Sequence, residues 1–282
     1  MSATRPTSAA CAPLERARRG FMRRVEHQSL LFIYAHPDDE SFLSAGTITH
    51  YRRLANTRIA LVTATRGGAA TRPPDADWMR EDLEALRAKE MDAASQILGI
   101  HHTALLTHPD RGLATSDHEL IRRELVSAIR LHRPQVVATF DPNGQNLHAD
   151  HIAISRYTSD ALAAASDARW LPETGPAHVV QRLLWTTPVT VWDALRAPLR
   201  VPLAERPGVD FLIDTSAYVA EKEAALRAHV TQRPGIDRLL LATGDREAAL
   251  SVEAYRLGWG PAPRARPAGC LFEGLQIGAP DA

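Results

Sequence analysis

The chain has 282 residues, 45% of them hydrophobic and 23% charged, an ordinary globular composition that excludes wholesale disorder. Its 33 basic residues are matched by 33 acidic ones, so there is no broad basic field of the kind nucleic acid or an anionic membrane attracts. No run approaches the ~18 apolar residues of a spanning helix, and Cys11 and Cys270 lie near opposite ends without CxxC spacing, which argues against a disulfide framework or thiolate zinc site and for a cytoplasmic location.

Residues 1–28 are rich in Arg, Pro, Ser and Ala and read as a mobile arm without the apolar stretch of a secretory signal. Residues 29–282 read as a single domain, with a core over 29–187 and a C-terminal extension over 188–282. Within the core, Leu30 to Ala35 (LLFIYA) and Arg58 to Thr65 (RIALVTAT) are short apolar runs, the pattern of buried parallel strands. Helical spacing follows each of them, over Phe42 to Leu54 and over Asp77 to Leu98, where Gly99 is a stop signal. The alternation continues with a strand at Thr103–Thr107, a helix from Ser116-Asp117 to about His132, a strand at Gln135–Phe140, a helix at about Asp150–Ala165 and a strand near Gln181–Thr187. This order predicts an α/β fold of Rossmann-like type, a mostly parallel doubly wound sheet, with active groups at the carboxyl ends of the strands. Beyond Pro188 the composition changes, and helices over Ser216–Val230 and Asp245–Leu257 are expected to form an appended layer.

Two segments at predicted strand ends carry chemistry. Ala35-His36-Pro37-Asp38-Asp39-Glu40 follows the first strand, and His148-Ala149-Asp150-His151 follows the fourth. His36 and Asp39, three apart in a turn entering a helix, can face one metal ion, and His151 would complete a two-histidine, one-carboxylate set with an open fourth position, the pattern of catalytic rather than structural zinc. Either segment alone is compatible with a helix cap or surface histidines. Two on one sheet are not easily accidental. Phosphoryl transfer from an aspartate would want Asp-x-Asp directly at the strand end, where His-Pro stands instead.

The pair AHPDDE and HxDH resembles the LmbE-like, PIG-L type zinc deacetylases, which remove acetyl groups from N-acetylglucosamine units. The likeness spans roughly Ser29 to Tyr157, with support from Thr65-Arg66-Gly67-Gly68, from Arg87 and Glu90 ahead of Leu98-Gly99, and from Glu221-Lys222 with His229-Val-Thr-Gln232. It implies one zinc ion per chain on His36, Asp39 and His151, Asp38 as general base, and His148 as a cation facing the developing oxyanion, oriented and kept protonated by Asp150. Glu40 is expected to orient a ligand, Arg87 to contact a remote polar part of a small amino-sugar substrate, and Asp110 to meet sugar hydroxyls. The alternatives are a silent zinc-containing binding protein and an amidase acting on a sugar-thiol conjugate. Leu147 and Ala149 stand where the family usually has glycine and proline, which leaves the loop shape and substrate open, as is the oligomeric state, a homo-oligomer included.

Overall fold

The computed structural model describes residues 27–54, 56–70, 80–187, 205, 208–241 and 246–277. The N-terminal arm, the Pro-rich stretch before Gly208, Trp78 and Trp192 lie outside them. In the core, strands β1 (Gln28–Tyr34), β2 (Thr57–Thr65), β3 (His102–His108), β4 (Val136–Phe140) and β5 (Arg182–Thr187) alternate with helices. The helices are α1 (Asp39–Leu43), α2 (Ala45–Arg53), α3 (Arg80–Leu98), α4 (His118–His132), the kinked turn α5 (Gly144–Leu147) and α6 (Ala149–Ser166). The C-terminal layer adds β6 (Phe211–Asp214), α7 (Val219–Ala228), α8 (Arg233–Leu241), α9 (Arg246–Leu250) and β7 (Val252–Trp259).

The seven strands form one sheet in the order β3-β2-β1-β4-β5-β7-β6, parallel from β3 to β5, with β7 antiparallel to both its neighbours. Leu30, Leu31, Phe32, Ile33 and Tyr34 are all buried because helices cover both faces of the sheet. Strand order reverses between β1 and β4, where Leu30 pairs with Val136 and Phe32 with Ala138. A crevice therefore opens at their carboxyl ends, the usual ligand position of a doubly wound sheet.

The predicted fold class and the core elements agree with this architecture. Two local readings do not. The expected helix over Phe42–Leu54 is broken at Ser44, whose φ of −143° separates α1 from α2. The helix expected over Asp245–Leu257 ends at Leu250, and Val252–Trp259 is instead the strand β7. Its Glu253 carboxylate accepts the Gly46 and Thr47 N–H groups at the start of α2, at 3.0 and 2.8 Å, and pairs with buried Lys222 at 2.5 Å. Tertiary pairing thus overrides a helical pattern. Cys270 is buried in the C-terminal layer and accepts the Tyr51 hydroxyl at 3.7 Å. Among the described residues no helix is long and apolar enough to cross a membrane.

Buried arginines hold the layers together. Arg130 on α4 donates to the carbonyls of Ala164, Ala165, Asp167, Trp170 and Leu171 and to Thr174 Oγ1, closing the C-terminus of α6. Helix ends leave such carbonyls without partners. Arg130→Met should therefore lower unfolding free energy by about 3 kcal/mol, since buried acceptors lose their donor. Arg169→Ala, which removes an exposed ion pair with Asp167, should leave the denaturation midpoint unchanged; equal midpoints for both variants would contradict the role given to Arg130.

Candidate active site

At the end of β1 the Ala35 carbonyl accepts both the N–H and the Oγ1 hydroxyl of Thr65, at 2.9 and 3.0 Å. The chain then turns through Pro37 and Asp38 into α1, leaving His36, Asp39 and Glu40 buried. Across the crevice, β4 ends at Phe140, and the first turn of α6 carries Asp150 and His151. The Phe140 ring stacks on His151 with centroids 3.9 Å apart, and His151 Nδ1 donates to the Gly144 carbonyl at 3.2 Å. This fixes the tautomer with the Nε2 lone pair facing the crevice. Gly144 has φ +64°, and a Cβ there would lie 2.7 Å from the Ile152 nitrogen, so the turn requires glycine.

His36 Nδ1 and His151 Nε2 are 3.2 Å apart, and Asp39 oxygens lie 3.6 Å from each. The separation of the two nitrogens matches the edge of a tetrahedron, about 3.3 Å for metal–ligand distances of about 2.0 Å, and Asp39 faces His36 with Oδ2 and His151 with Oδ1. The other nitrogen of His36, Nε2, lies 3.2 Å from both Asp110 Oδ1 and Asp150 Oδ2, an arrangement of carboxylate, histidine and open lone pair typical of metal ligands. Burial alone would lower the His36 pKa, yet Asp110, Asp150 and Asp39 raise it well above the usual imidazole range. The same carboxylates would also stabilise a divalent cation held beside Nδ1. Burial lowers His151 to about 4, helped by His36 and His148, which keeps it neutral and able to ligate. His148 also has a ring nitrogen within 4.8 Å of those of His36 and His151, while the Asp39 carboxylate, which meets His36 through Oδ2 and His151 through Oδ1, adds the negative charge that offsets a divalent ion. The residues present fit such an ion.

Asp38 lines the same pocket with φ 113°, as do Arg111 and Gln145, both with φ 63°. Backbone in this region costs a non-glycine residue of order 1–3 kcal/mol and persists where surrounding contacts impose it. Burial pushes the Asp38 carboxyl up to about 6 against the pull of Arg87. Arg87, expected at a remote part of the substrate, is itself buried: its guanidinium donates to the Pro37 carbonyl, to Gly67 O at 3.0 Å and to Asp38 Oδ2 at 3.2 Å. Gly67 leaves room for it, since a Cβ there would fall 2.3 Å from Arg87 Nη1.

His148 and Asp150, expected to meet through their side chains, meet through the Asp150 backbone. His148 caps α6, its Nδ1 accepting the Asp150 N–H at 3.2 Å, and burial together with His36 lowers its pKa. With Nδ1 accepting, Nε2 is the ring nitrogen left to carry a hydrogen toward the pocket that His148 lines. The Asp150 carboxylate does not hold it; besides His36 it accepts the N–H groups of Arg111 at 2.6 Å and Leu113 at 3.1 Å, tying the loop after β3 to the site. Asp110 is similarly occupied, by His36 and by the Ala69 N–H at 2.8 Å. Glu40 reaches no candidate ligand: it accepts the Asp38 N–H at 3.1 Å and faces His229 at 2.8 Å. Arg111, Gln145 and Gln232 also line the pocket without having been singled out as site residues; only the His-x-x-Gln segment pointed to the last. Trp185 and Trp259 lie on β5 and β7 and are not among the pocket residues.

A family model described as PIG-L: GlcNAc-PI de-N-acetylase matches residues 31–162. A 1D-myo-inositol 2-acetamido-2-deoxy-alpha-D-glucopyranoside deacetylase from Thermobifida fusca is 32% identical over 280 residues, covering 87% of this chain and 98% of the relative. A mycothiol S-conjugate amidase from Streptomyces coelicolor is 32% identical over 224 residues, covering 71% and 75%. Among solved structures, the N,N'-diacetylchitobiose deacetylase from Pyrococcus horikoshii superposes with a TM-score of 0.63 at 19% identity, over 82% of this chain and 83% of that one; this likeness is one of fold.

The geometry at Gly144 is open to test. Gly144→Ala should displace His151 and weaken uptake of a divalent ion by about 10- to 100-fold, measured by calorimetric titration of the purified protein with zinc. Unchanged affinity would mean that His151 takes no part in holding the ion.

Proposed function

Because the chain belongs to the PIG-L family of de-N-acetylases, we propose that it hydrolyses the N-acetyl group of a glycosidic N-acetylglucosamine unit, giving acetate and a free amine, with one zinc ion held by His36, Asp39 and His151. The observation that carries this reading is the convergence of those three donors beside a half-buried carboxylate, Asp38, at the switch point of the sheet. When bound, the ion supplies Lewis-acid polarisation of the amide carbonyl and of the attacking water. Asp38 takes the proton from that water and delivers one to the departing amine. His148, through its Nε2 hydrogen, donates to the oxygen that gains charge as the carbonyl becomes tetrahedral.

The relative from Thermobifida fusca acts, by its name, on an inositol glycoside of N-acetylglucosamine, and we take a conjugate of that kind as the substrate class. Arg87 is committed to Asp38, Pro37 and Gly67, so the second moiety falls to the outer wall of the pocket at Arg111, Gln145 and Asn146. The amidase among the relatives favours a second reading, cleavage of the amide of a sugar-thiol conjugate. Both use the same water, base and oxyanion donor. A silent binding protein would have no use for a base held in the pocket by Arg87.

A panel of N-acetylated sugars and sugar-thiol conjugates assayed for free amine decides between these readings. Asp38→Asn should retain zinc while kcat falls by about 10²- to 10⁴-fold, and His148→Ala should retain zinc with a loss of about 10²- to 10³-fold. Near wild-type turnover in either variant removes the role assigned to that residue. Arg87→Ala should reduce kcat/KM by the same factor for bare N-acetylglucosamine and for its inositol glycoside. A loss confined to the glycoside would return Arg87 to the substrate.

A further inference from the structure

Asp38 has an unfavourable backbone, and what imposes it comes largely from outside the β1–α1 turn. Its N–H is taken by Glu40 Oε2 at 3.1 Å, and Glu40 Oε1 faces His229 Nε2 at 2.8 Å and receives Ser41 Oγ at 2.7 Å. Glu40 and His229 are fully buried, and His229 Nδ1 has no hydrogen-bond partner, so the polar reach of the ring is spent on Glu40 and, at 3.3 Å, on Ser41. His229 stands where α7 gives way to a single 3-10 turn, Val230–Gln232, in the C-terminal layer. That turn is pinned from the other side by Glu90 of α3, which accepts the Thr231 N–H and hydroxyl, both at 2.7 Å. One turn earlier on α3, Arg87 holds the Asp38 carboxylate and the Pro37 carbonyl. The links close a ring: Arg87, Asp38, Glu40, His229, Thr231, Glu90 and back along α3.

We propose that His229 is a positioning residue for the deacetylation: by holding Glu40 it fixes the Asp38 N–H, and so keeps the Asp38 carboxylate aimed at the attacking water. The proposal rests on the reading of Asp38 as the base. His229 touches neither substrate nor ion in this arrangement, and none of the three candidate ligands hydrogen-bonds to it. Its removal should then leave binding intact and slow the step in which the proton moves, because a misaimed base loses rate rather than affinity. This makes the C-terminal layer part of the catalytic apparatus.

The test compares His229→Ala and His229→Gln with the wild-type zinc-loaded enzyme, measuring kcat and KM separately, zinc content and thermal midpoint. In His229→Ala, kcat should fall by about 10- to 100-fold, with KM and zinc content within about twofold of wild type. In His229→Gln the side-chain amide can donate to Glu40, and most of the lost kcat should return. Adding His229→Ala to Asp38→Asn should cost no further activity, since a base already removed cannot be misplaced. Loss of zinc in step with activity, a change in KM alone, no rescue by glutamine, or the same fold-loss in the Asp38→Asn background would each overturn the proposal. A fully active Asp38→Asn single variant would instead sink the reading of the base, whatever His229 does.

Discussion

His36 uses both of its ring nitrogens, and the rest of the site is arranged around that fact. Nδ1 converges with Asp39 and His151, while Nε2 is shared between Asp110 and Asp150. Concentrating three carboxylates around one buried imidazole is electrostatically costly unless positive charge is present, and it is this surplus that makes the crevice receptive to a cation. The ring also joins three segments that are far apart in sequence. Asp110 comes from the loop after β3, Asp150 and His151 from α6, and Asp39 from α1, so the orientation of one side chain depends on the register of β1 against both β2 and β4.

The strand side of this arrangement was legible in the sequence. LLFIYA and QVVATF are continuous apolar runs because helices cover both faces, and the His- and Asp-bearing segments follow them directly. The identity of the three converging residues followed from spacing and resemblance together. Their outer partners did not, because a carboxylate two residues from a histidine in sequence need not be near its charge in space: Asp150 gives His148 only its backbone N–H and sends its side chain to His36. Arg87 shows the same limit. Helical periodicity marks it as an arginine on a mostly polar helix, whereas the glycine at position 67 is what lets its guanidinium enter and turn towards Asp38. The C-terminal layer was least legible. Val252–Trp259 has few cues to separate strand from helix, and its strand state is decided by pairing with Arg182–Thr187 and Phe211–Asp214.

Rigidity is distributed unevenly and with an evident logic. Buried arginines and the Lys222–Glu253 pair tie helix ends and layers by many partners at once, while the residues facing the pocket carry the unfavourable backbone at Asp38, Arg111 and Gln145. Each of the three is flanked by contacts that prevent relaxation: Glu40 at Asp38, Asp150 at Arg111, and Asp141, which accepts the Gln145 N–H at 3.2 Å. A scaffold with satisfied interiors can sustain a few strained positions, and here they gather at the crevice.

The place of β7 has a consequence for biogenesis. β6 is made before β7 but joins the sheet only through it, and β5 has no partner on that side until β7 arrives. For as long as the last stretch of chain is still being synthesised, the apolar edge that carries Leu183 and Leu184 stays unpaired and offers itself to strands of other molecules. Nascent or C-terminally truncated chains are therefore the aggregation-prone species of this protein, and the finished chain protects itself by inserting its final strand.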